Sequence, residues 1–254
     1  MPWLLPEDGF DPDLSPEPVV GVAGRLDGHD SGVHSHRRGQ LLFTQSGCVS
    51  IHLPDRLCML PPTRAAWIPP TVPHRARMTG PVDYRSIYIN VSKYYGLPSV
   101  IEVMDVGPLL RAALERIATA DFGVDWDIGA AANLVAVCID EIKAAPRQPM
   151  LLPLPSDRRL AGLDTNEMPP LLSLLAAREG ATEKTIGRIF RSETGMSYQQ
   201  WRQQWRLLKA VELLGRGMSI TSTAFDLGFA SDSAFIAFFR KMTGYTPRVF
   251  MGAA

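Results

Sequence analysis

The chain has 254 residues, 46% of them hydrophobic, enough to bury a core and to divide into two ordinary domains. Its 26 basic and 26 acidic side chains cancel overall, but unevenly: 13 Lys and Arg face 17 Asp and Glu before Ser156, and 13 face 9 after it, so an acidic front half precedes a basic, anion-facing back half. Cys48, Cys58 and Cys138 lack the paired spacing of a disulfide framework or thiolate zinc site, no apolar run approaches the ~18 residues of a membrane span, and the first 18 residues carry five acids and no base, unlike a signal peptide; a cytoplasmic protein without a membrane partner is expected.

Residues 1–18 hold five of the 21 prolines and predict an irregular acidic arm. From Val19 onward come short runs rich in Val, Ile and aromatics, such as Leu41-Leu42-Phe43, Val49-Ser50-Ile51, Ala65-Ala66-Trp67-Ile68 and Ile87-Tyr88-Ile89, broken by Gly, Pro and Asp. This pattern predicts a small antiparallel β-sandwich or barrel over 19–105. Within it, Gly28, His34, His36, Gln40 and Gly47 have the spacing of a motif that resembles the first motif of the cupin superfamily, with Gln40 where enzymatic members commonly have Glu. A degenerate second motif keeps Pro69 and His74, while Thr63, Thr71 and Met78 stand where Gly, Gly and Asn are usual.

On one strand His34 and His36 would point to one face, and His74 would converge on them from a later strand. Three imidazoles with the carbonyl oxygen of Gln40 suit a divalent ion such as zinc, nickel or iron. The alternative is a polar barrel interior or an organic effector bound directly. Arg75, Arg77 and Arg85, on or near the same strands, are candidates for pairing an anionic effector, against solvated faces or pairs with nearby acids. Trp67 and Tyr88 are read as core rather than pocket.

The hydrophobic period then changes to that of helices, with Leu109, Leu110, Ala113, Leu114 and Ile117 on one stripe and Leu134, Val135, Cys138, Ile139 and Ile142 on another. The segment 106–145 is expected to cover the barrel and to mediate a homodimer. Prolines 146, 149, 153 and 155 predict a semi-extended linker over 146–156.

Residues 157–254 repeat one plan at a period of about 49 residues. Ile186-Gly187-Arg188-Ile189-Phe190-Arg191 aligns with Phe235-Ile236-Ala237-Phe238-Phe239-Arg240, and both copies end in Thr-Gly, at Gly195 and Gly244. Thr182 and Ser231 are hydroxyl N-caps followed by early acids, and Ser197-Tyr198-Gln199-Gln200 is a capping-box start for a long helix with Trp201, Trp205, Leu208 and Leu214 on one face, ending near Gly215. Gly228-Phe229, Ser231, Phe235, Phe239-Arg240, Gly244 and Thr246-Pro247 resemble the signature of the AraC/XylS family of transcription regulators.

That resemblance implies two helix-turn-helix units whose second helices enter the major groove of promoter DNA. The implied contacts are Lys184, Thr185, Arg188 and Arg191 on the first, with Arg188 as the base reader, and Ser231, Asp232, Ser233 and Ile236 on the second. Met168-Pro169-Pro170 disfavours a long helix leading into the first unit, and Gly187 in mid-helix costs ~1 kcal/mol.

The expected fold is α+β: a cupin-like barrel with covering helices, then an all-α domain of two helix-turn-helix units joined by a long helix. The expected function is a DNA-binding transcription regulator responding to a small-molecule or metal effector, with RNA polymerase as a further partner. A metal-dependent cupin enzyme fused to a DNA-binding domain is the alternative. The missing Glu and the lack of another convergent acid/base pair weigh against it, so no enzymatic activity is expected.

Overall fold

The computed structural model describes residues 2–5, 9–148 and 150–252, so Glu7 and Asp8 of the expected arm and Pro149 of the expected linker lie outside the described residues. The chain divides into two compact units: one runs to His52 and resumes over Leu60–Met150, and the other joins Leu53–Met59 to the chain from Leu151 onward.

The first unit is built on a six-stranded sheet. In spatial order it holds β1 (Trp3–Leu4), β2 (Val19–Leu26), β8 (Val82–Ile89), β3 (Gly39–Ser46), β6 (Arg64–Ile68) and β9 (Glu102–Asp105), while β4 (Val49–His52) pairs antiparallel with β7 (Arg75–Arg77) in a second sheet. The sheet does not close, which corrects the expected barrel. On one face Leu41, Phe43, Trp67, Ile87 and Ile89 are buried against α1 (Pro108–Ala118) and α2 (Gly129–Ala144), through Leu114, Ile117, Val135 and Ile142. The two edge strands, β1 and β9, do not pair with each other, so the sheet stays open while its helix-covered face forms the core. Gly21 marks how closely α1 approaches, since a Cβ there would stand 2.1 Å from the carbonyl oxygen of Ile117.

The arm is not irregular throughout. Trp3 and Leu4 pair in parallel with Ala23 and Gly24 of β2, and Pro12–Leu14 forms a 3-10 turn. Residues 15 to 17 are tied down by Arg38, which donates to the carbonyl oxygens of Ser15 and Glu17, both at 2.6 Å.

The second unit contains β5 (Arg56–Leu60) as far as Met59, with β10 (Leu151–Pro153) antiparallel to it, so part of the segment expected as linker is a hydrogen-bonded strand. Six helices follow among the described residues: α3 (Leu172–Arg178), α4 (Glu183–Thr194), α5 (Tyr198–Gly215), α6 (Ile220–Asp226), α7 (Asp232–Thr243) and α8 (Pro247–Phe250). The start signals act as their chemistry requires. Thr182 accepts from the amide of Thr185, Ser231 from that of Ala234, and Ser197 with Gln200 completes a capping box. Gly195 and Gly244 close α4 and α7 at φ of 71° and 82°, the left-handed conformation that glycine adopts freely.

The proline-rich approach to α3 holds only a short 3-10 turn, Arg158–Leu160. Side chains of α5 satisfy its carbonyls instead. Trp201 donates to Pro153, Trp205 to Thr165, Arg202 to Pro169 and Tyr198 to Pro170, all at 2.6–2.8 Å. A segment too rich in proline to bond its own carbonyls as helix is thereby held against the long helix.

Candidate functional sites

The parity of the strands decides what faces the first unit's cavity. In the β3–β8 register Gln40 opposes Tyr88 and Leu42 opposes Ser86, whereas Leu41 opposes Ile87 and Phe43 opposes Arg85. One set points to the cavity and the other to α1 and α2. The cavity measures about 490 Å³ and is lined by His34, His36, Gln40, His74, Tyr84 and Tyr88, with arm residues Leu4, Leu5 and Phe10 among its walls.

His34, His36 and His74 come together with their ring nitrogens within 4.8 Å of one another. Regular strand does not position them as expected. His34 and His74 form an isolated bridge, exchanging amide-to-carbonyl bonds of 2.9 Å in both directions, and His36 lies in the loop before β3. The loop is set by Thr71, which holds a positive φ of 64° and donates its amide to the carbonyl of His36 at 2.8 Å. A side chain therefore occupies a left-handed position where the related motif usually has glycine.

All three imidazoles are oriented from behind. Nδ1 donates to Gly32 O in His34 (3.2 Å), to Arg38 O in His36 (2.6 Å) and to Val72 O in His74 (2.9 Å). Because a carbonyl only accepts, each Nδ1 carries the proton in the neutral ring, which leaves Nε2 with a lone pair. Nε2 of His74 is buried with no hydrogen-bond partner, and burial pushes that imidazole down to about 4, so it stays neutral.

Gln40 extends the group. Its Oε1 lies 3.2 Å from Nε2 of His36, and its amide nitrogen donates to Ser86 Oγ (2.9 Å) and faces the hydroxyls of Tyr88 (3.2 Å) and Tyr84 (3.3 Å). Two lone pairs so close are favourable when they share a cation. Turned over, the carboxamide would instead donate to His36 and accept from the hydroxyls, so one side chain suits the site with or without an ion. The donor set fits a divalent metal: neutral imidazoles held by carbonyls, a buried unpartnered nitrogen and a carbonyl oxygen.

The arginines expected to meet an anionic effector are engaged elsewhere. Arg75 and Arg77 alternate with Ala76, which lines the cavity, and both pair with Asp30; hydrogen bonding from Arg75 holds that carboxyl far below its ordinary range. Arg85 shares the helix-facing parity of Ile87 and donates to Glu115 of α1 and to Asp83, under the ring of Trp3. Among the described residues lining the cavity there is no Lys or Arg. Trp67 is core, fully buried with Nε1 donating to Pro98, whereas Tyr88 lines the cavity, contrary to expectation. The hydroxyls of Tyr84, Ser86 and Tyr88 were legible only as a strand alternation, once its buried face is known.

On the second unit, Lys184, Arg188 and Arg191 are exposed on α4. The hydroxyl of Thr185 lies 3.0 Å from that of its cap, Thr182. On α7 Ser233 is exposed and Ile236 half-buried, while Ser231 is engaged in capping and Asp232 accepts from Thr221 of α6 at 2.6 Å. Exposed Arg240 in the last turn of α7 adds a cation absent from the expected contacts. The two second helices therefore differ: the first presents exposed cations along its length, the second hydroxyl and apolar groups near its start. Behind them Ile186, Ile189 and Phe190, and Phe235 with Phe239, fix each unit in its core.

The order of these parts, a cavity-bearing sheet domain and then paired helix-turn-helix units, defines a DNA-binding regulator with a separate ligand-binding domain. Two family models match accordingly: an AraC-like ligand binding domain over residues 18–132 and a helix-turn-helix domain over 175–253. The chain is thus an AraC-type transcription regulator. It is 29% identical over 247 residues to the HTH-type transcriptional regulator NimR of Escherichia coli, covering 94% of this chain and 90% of that one. The regulator RipA of Corynebacterium glutamicum is 37% identical over 79 residues, 31% of this chain and 24% of that protein. A solved structure of the DNA-binding domain of AdpA in complex with a target DNA is 35% identical, covers 32% of this chain and 75% of its own, and has a TM-score of 0.30. No described helix is long and apolar enough to cross a membrane.

Proposed function

We propose that this regulator senses its effector at the histidine cluster of the first unit, where His34, His36, His74 and the carboxamide oxygen of Gln40 hold a divalent ion of the zinc, nickel or iron type. The observation that carries this reading is the convergence of three imidazoles, one ring nitrogen of each within 4.8 Å of the others, while every Nδ1 donates to a backbone carbonyl. An ion bound there would supply a fixed positive charge and a point of attachment for a small molecule. Binding alters DNA affinity only insofar as the two arrangements of the protein bind the effector unequally.

The output is sequence-specific binding to promoter DNA in the cytoplasm by residues 157–254. Arg188 reads a base edge, Lys184, Thr185 and Arg191 hold phosphates or bases, and Ser231, Asp232, Ser233 and Ile236 seat the second helix, with Ile236 toward thymine methyls. Residues 19–105 are the sensor. Residues 106–145 form the dimer contact, supported by Leu109 and Val137, which stay exposed on α1 and α2. RNA polymerase is the partner through which occupancy becomes transcription.

The metal content of protein purified without chelator, beside a His34→Ala/His36→Ala variant, tests the sensor. Near-stoichiometric metal in the parent and its loss in the variant are expected. Equal content in both would sink the assignment.

A further inference from the structure

We propose that the effector is a small organic anion with an apolar body, whose acidic oxygen binds the ion held by His34, His36, His74 and Gln40. The inference rests on the metal reading above and turns on charge. Every donor is neutral: three imidazoles, and a carboxamide at the position where a carboxylate would cancel one unit of the ion's charge. Among the described residues no carboxylate joins the histidine cluster. Of the acids in the cavity wall, Asp30 is committed to Arg75 and Arg77, Asp13 to the backbone amide and side chain of Arg37, and Asp11 accepts from the amide of Asp13 as a turn cap.

A divalent ion on this donor set keeps its full charge in a partly enclosed site. Coulombic demand there is several-fold stronger than in water, and a bound ion dominates the local field. No Lys or Arg lines the cavity among the described residues, so a bound ion would be the fixed positive charge that an anion meets there.

Two further features define the anion. Tyr84 and Tyr88 line the cavity beside Gln40, and a phenol is a hydrogen-bond donor as well as an acceptor. Their hydroxyls form one polar cluster with Ser86 and the amide nitrogen of Gln40 beside the histidines, the hydrogen-bonding group nearest to the second oxygen of a carboxylate held by the ion. Leu4, Leu5, Phe10, Val22, Leu26 and Met78 give the cavity of about 490 Å³ an apolar lining beside this cluster. That volume and lining suit an organic body rather than an inorganic oxyanion.

The test uses cobalt(II) as a visible occupant. Full-length protein is loaded with cobalt, its metal content measured, and then titrated with acetate, hexanoate, benzoate, phenylacetate and salicylate and with the neutral amides of the same acids. The cobalt absorption bands and calorimetric heats are followed, alongside metal-free protein and a Gln40→Glu variant. We expect at least one carboxylate of the larger acids to shift the bands and to bind at least about tenfold more tightly than its amide. Metal-free protein should not bind it, and Gln40→Glu should keep cobalt while losing at least about tenfold in carboxylate affinity. The proposal is overturned if cobalt binds but every carboxylate behaves like its amide, or if Gln40→Glu leaves carboxylate affinity unchanged. Failure of cobalt to bind is read from the metal content before any titration and overturns the metal reading itself.

Discussion

Arg85 and Glu115 form a two-pronged pair between β8 and α1, with Nε and Nη2 of the guanidinium on the two carboxylate oxygens at 2.8 and 2.9 Å. Arg85 is buried on the face that α1 covers, and Gln45 donates to the same carboxylate at 2.7 Å. The pair fixes the helix on the sheet. Replacing Arg85 with Met strands Glu115 and Asp83, and the first unit should lose roughly 3 kcal/mol in urea unfolding. Arg85→Lys should recover little, since an ammonium cannot hold both oxygens. A loss below about 0.5 kcal/mol would mean that the pair contributes nothing to seating α1.

The same pair sets an acid response. Burial alone would raise the Glu115 carboxyl, but hydrogen bonds from Arg85 and Gln45 hold it below its ordinary value. A depressed carboxyl contributes stability that is complete above the unfolded value and disappears as pH falls through the folded one. Stability of the first unit should therefore fall on acidification below the ordinary carboxylate range of about 4. In Glu115→Gln that segment of the pH profile should flatten. An unchanged profile would remove Glu115 from the account.

Gly21→Ala tests the seating of α1 from the other side. Its new Cβ would meet the Ile117 carbonyl at 2.1 Å, so α1 must shift. A cost of about 1–3 kcal/mol is expected. A neutral result would show that α1 does not approach β2 so closely.

Thr71 carries a left-handed backbone that places the His36 carbonyl. Thr71→Gly should relieve strain of about 1 kcal/mol, partly offset by greater freedom of the unfolded chain. Thr71→Val should cost stability and weaken metal binding together. Metal affinity unchanged in Thr71→Val would separate the loop from the cluster.

Trp201→Phe keeps most of the buried ring but leaves the Pro153 carbonyl without its donor. The second unit should lose roughly 1–2 kcal/mol, measured by its own thermal transition. A shift within error would show that water replaces the indole.

In DNA binding, Arg188→Ala should relax preference at a single base pair, costing about 1–3 kcal/mol on the preferred sequence. Lys184→Ala should weaken binding evenly across sequences and reduce the salt slope by about 1. Randomised-site selection with salt titration distinguishes the two, and an unchanged motif for Arg188→Ala would remove its role as reader.

Much of the second unit was legible in the sequence because its signals are local. The Thr182, Ser197 and Ser231 caps, the Gly195 and Gly244 ends and the buried Phe190 and Phe239 lie within a few residues of what they determine. The histidine cluster was partly legible: spacing nominated His34, His36, Gln40 and His74, and the fold brings the three histidines together with Gln40 beside His36. Tertiary structure alone decided the rest. Whether Arg85 enters the cavity or turns to α1 depends on strand parity relative to a helix some thirty residues away. Whether the sheet closes depends on which edge strands pair, and whether a proline-rich strand hangs free depends on its ladder with β5 and a donor from α5. Local patterns fix caps, turns and candidate ligands because their energetics act over a few residues. Which side of a sheet a charge faces is decided by the element that packs there.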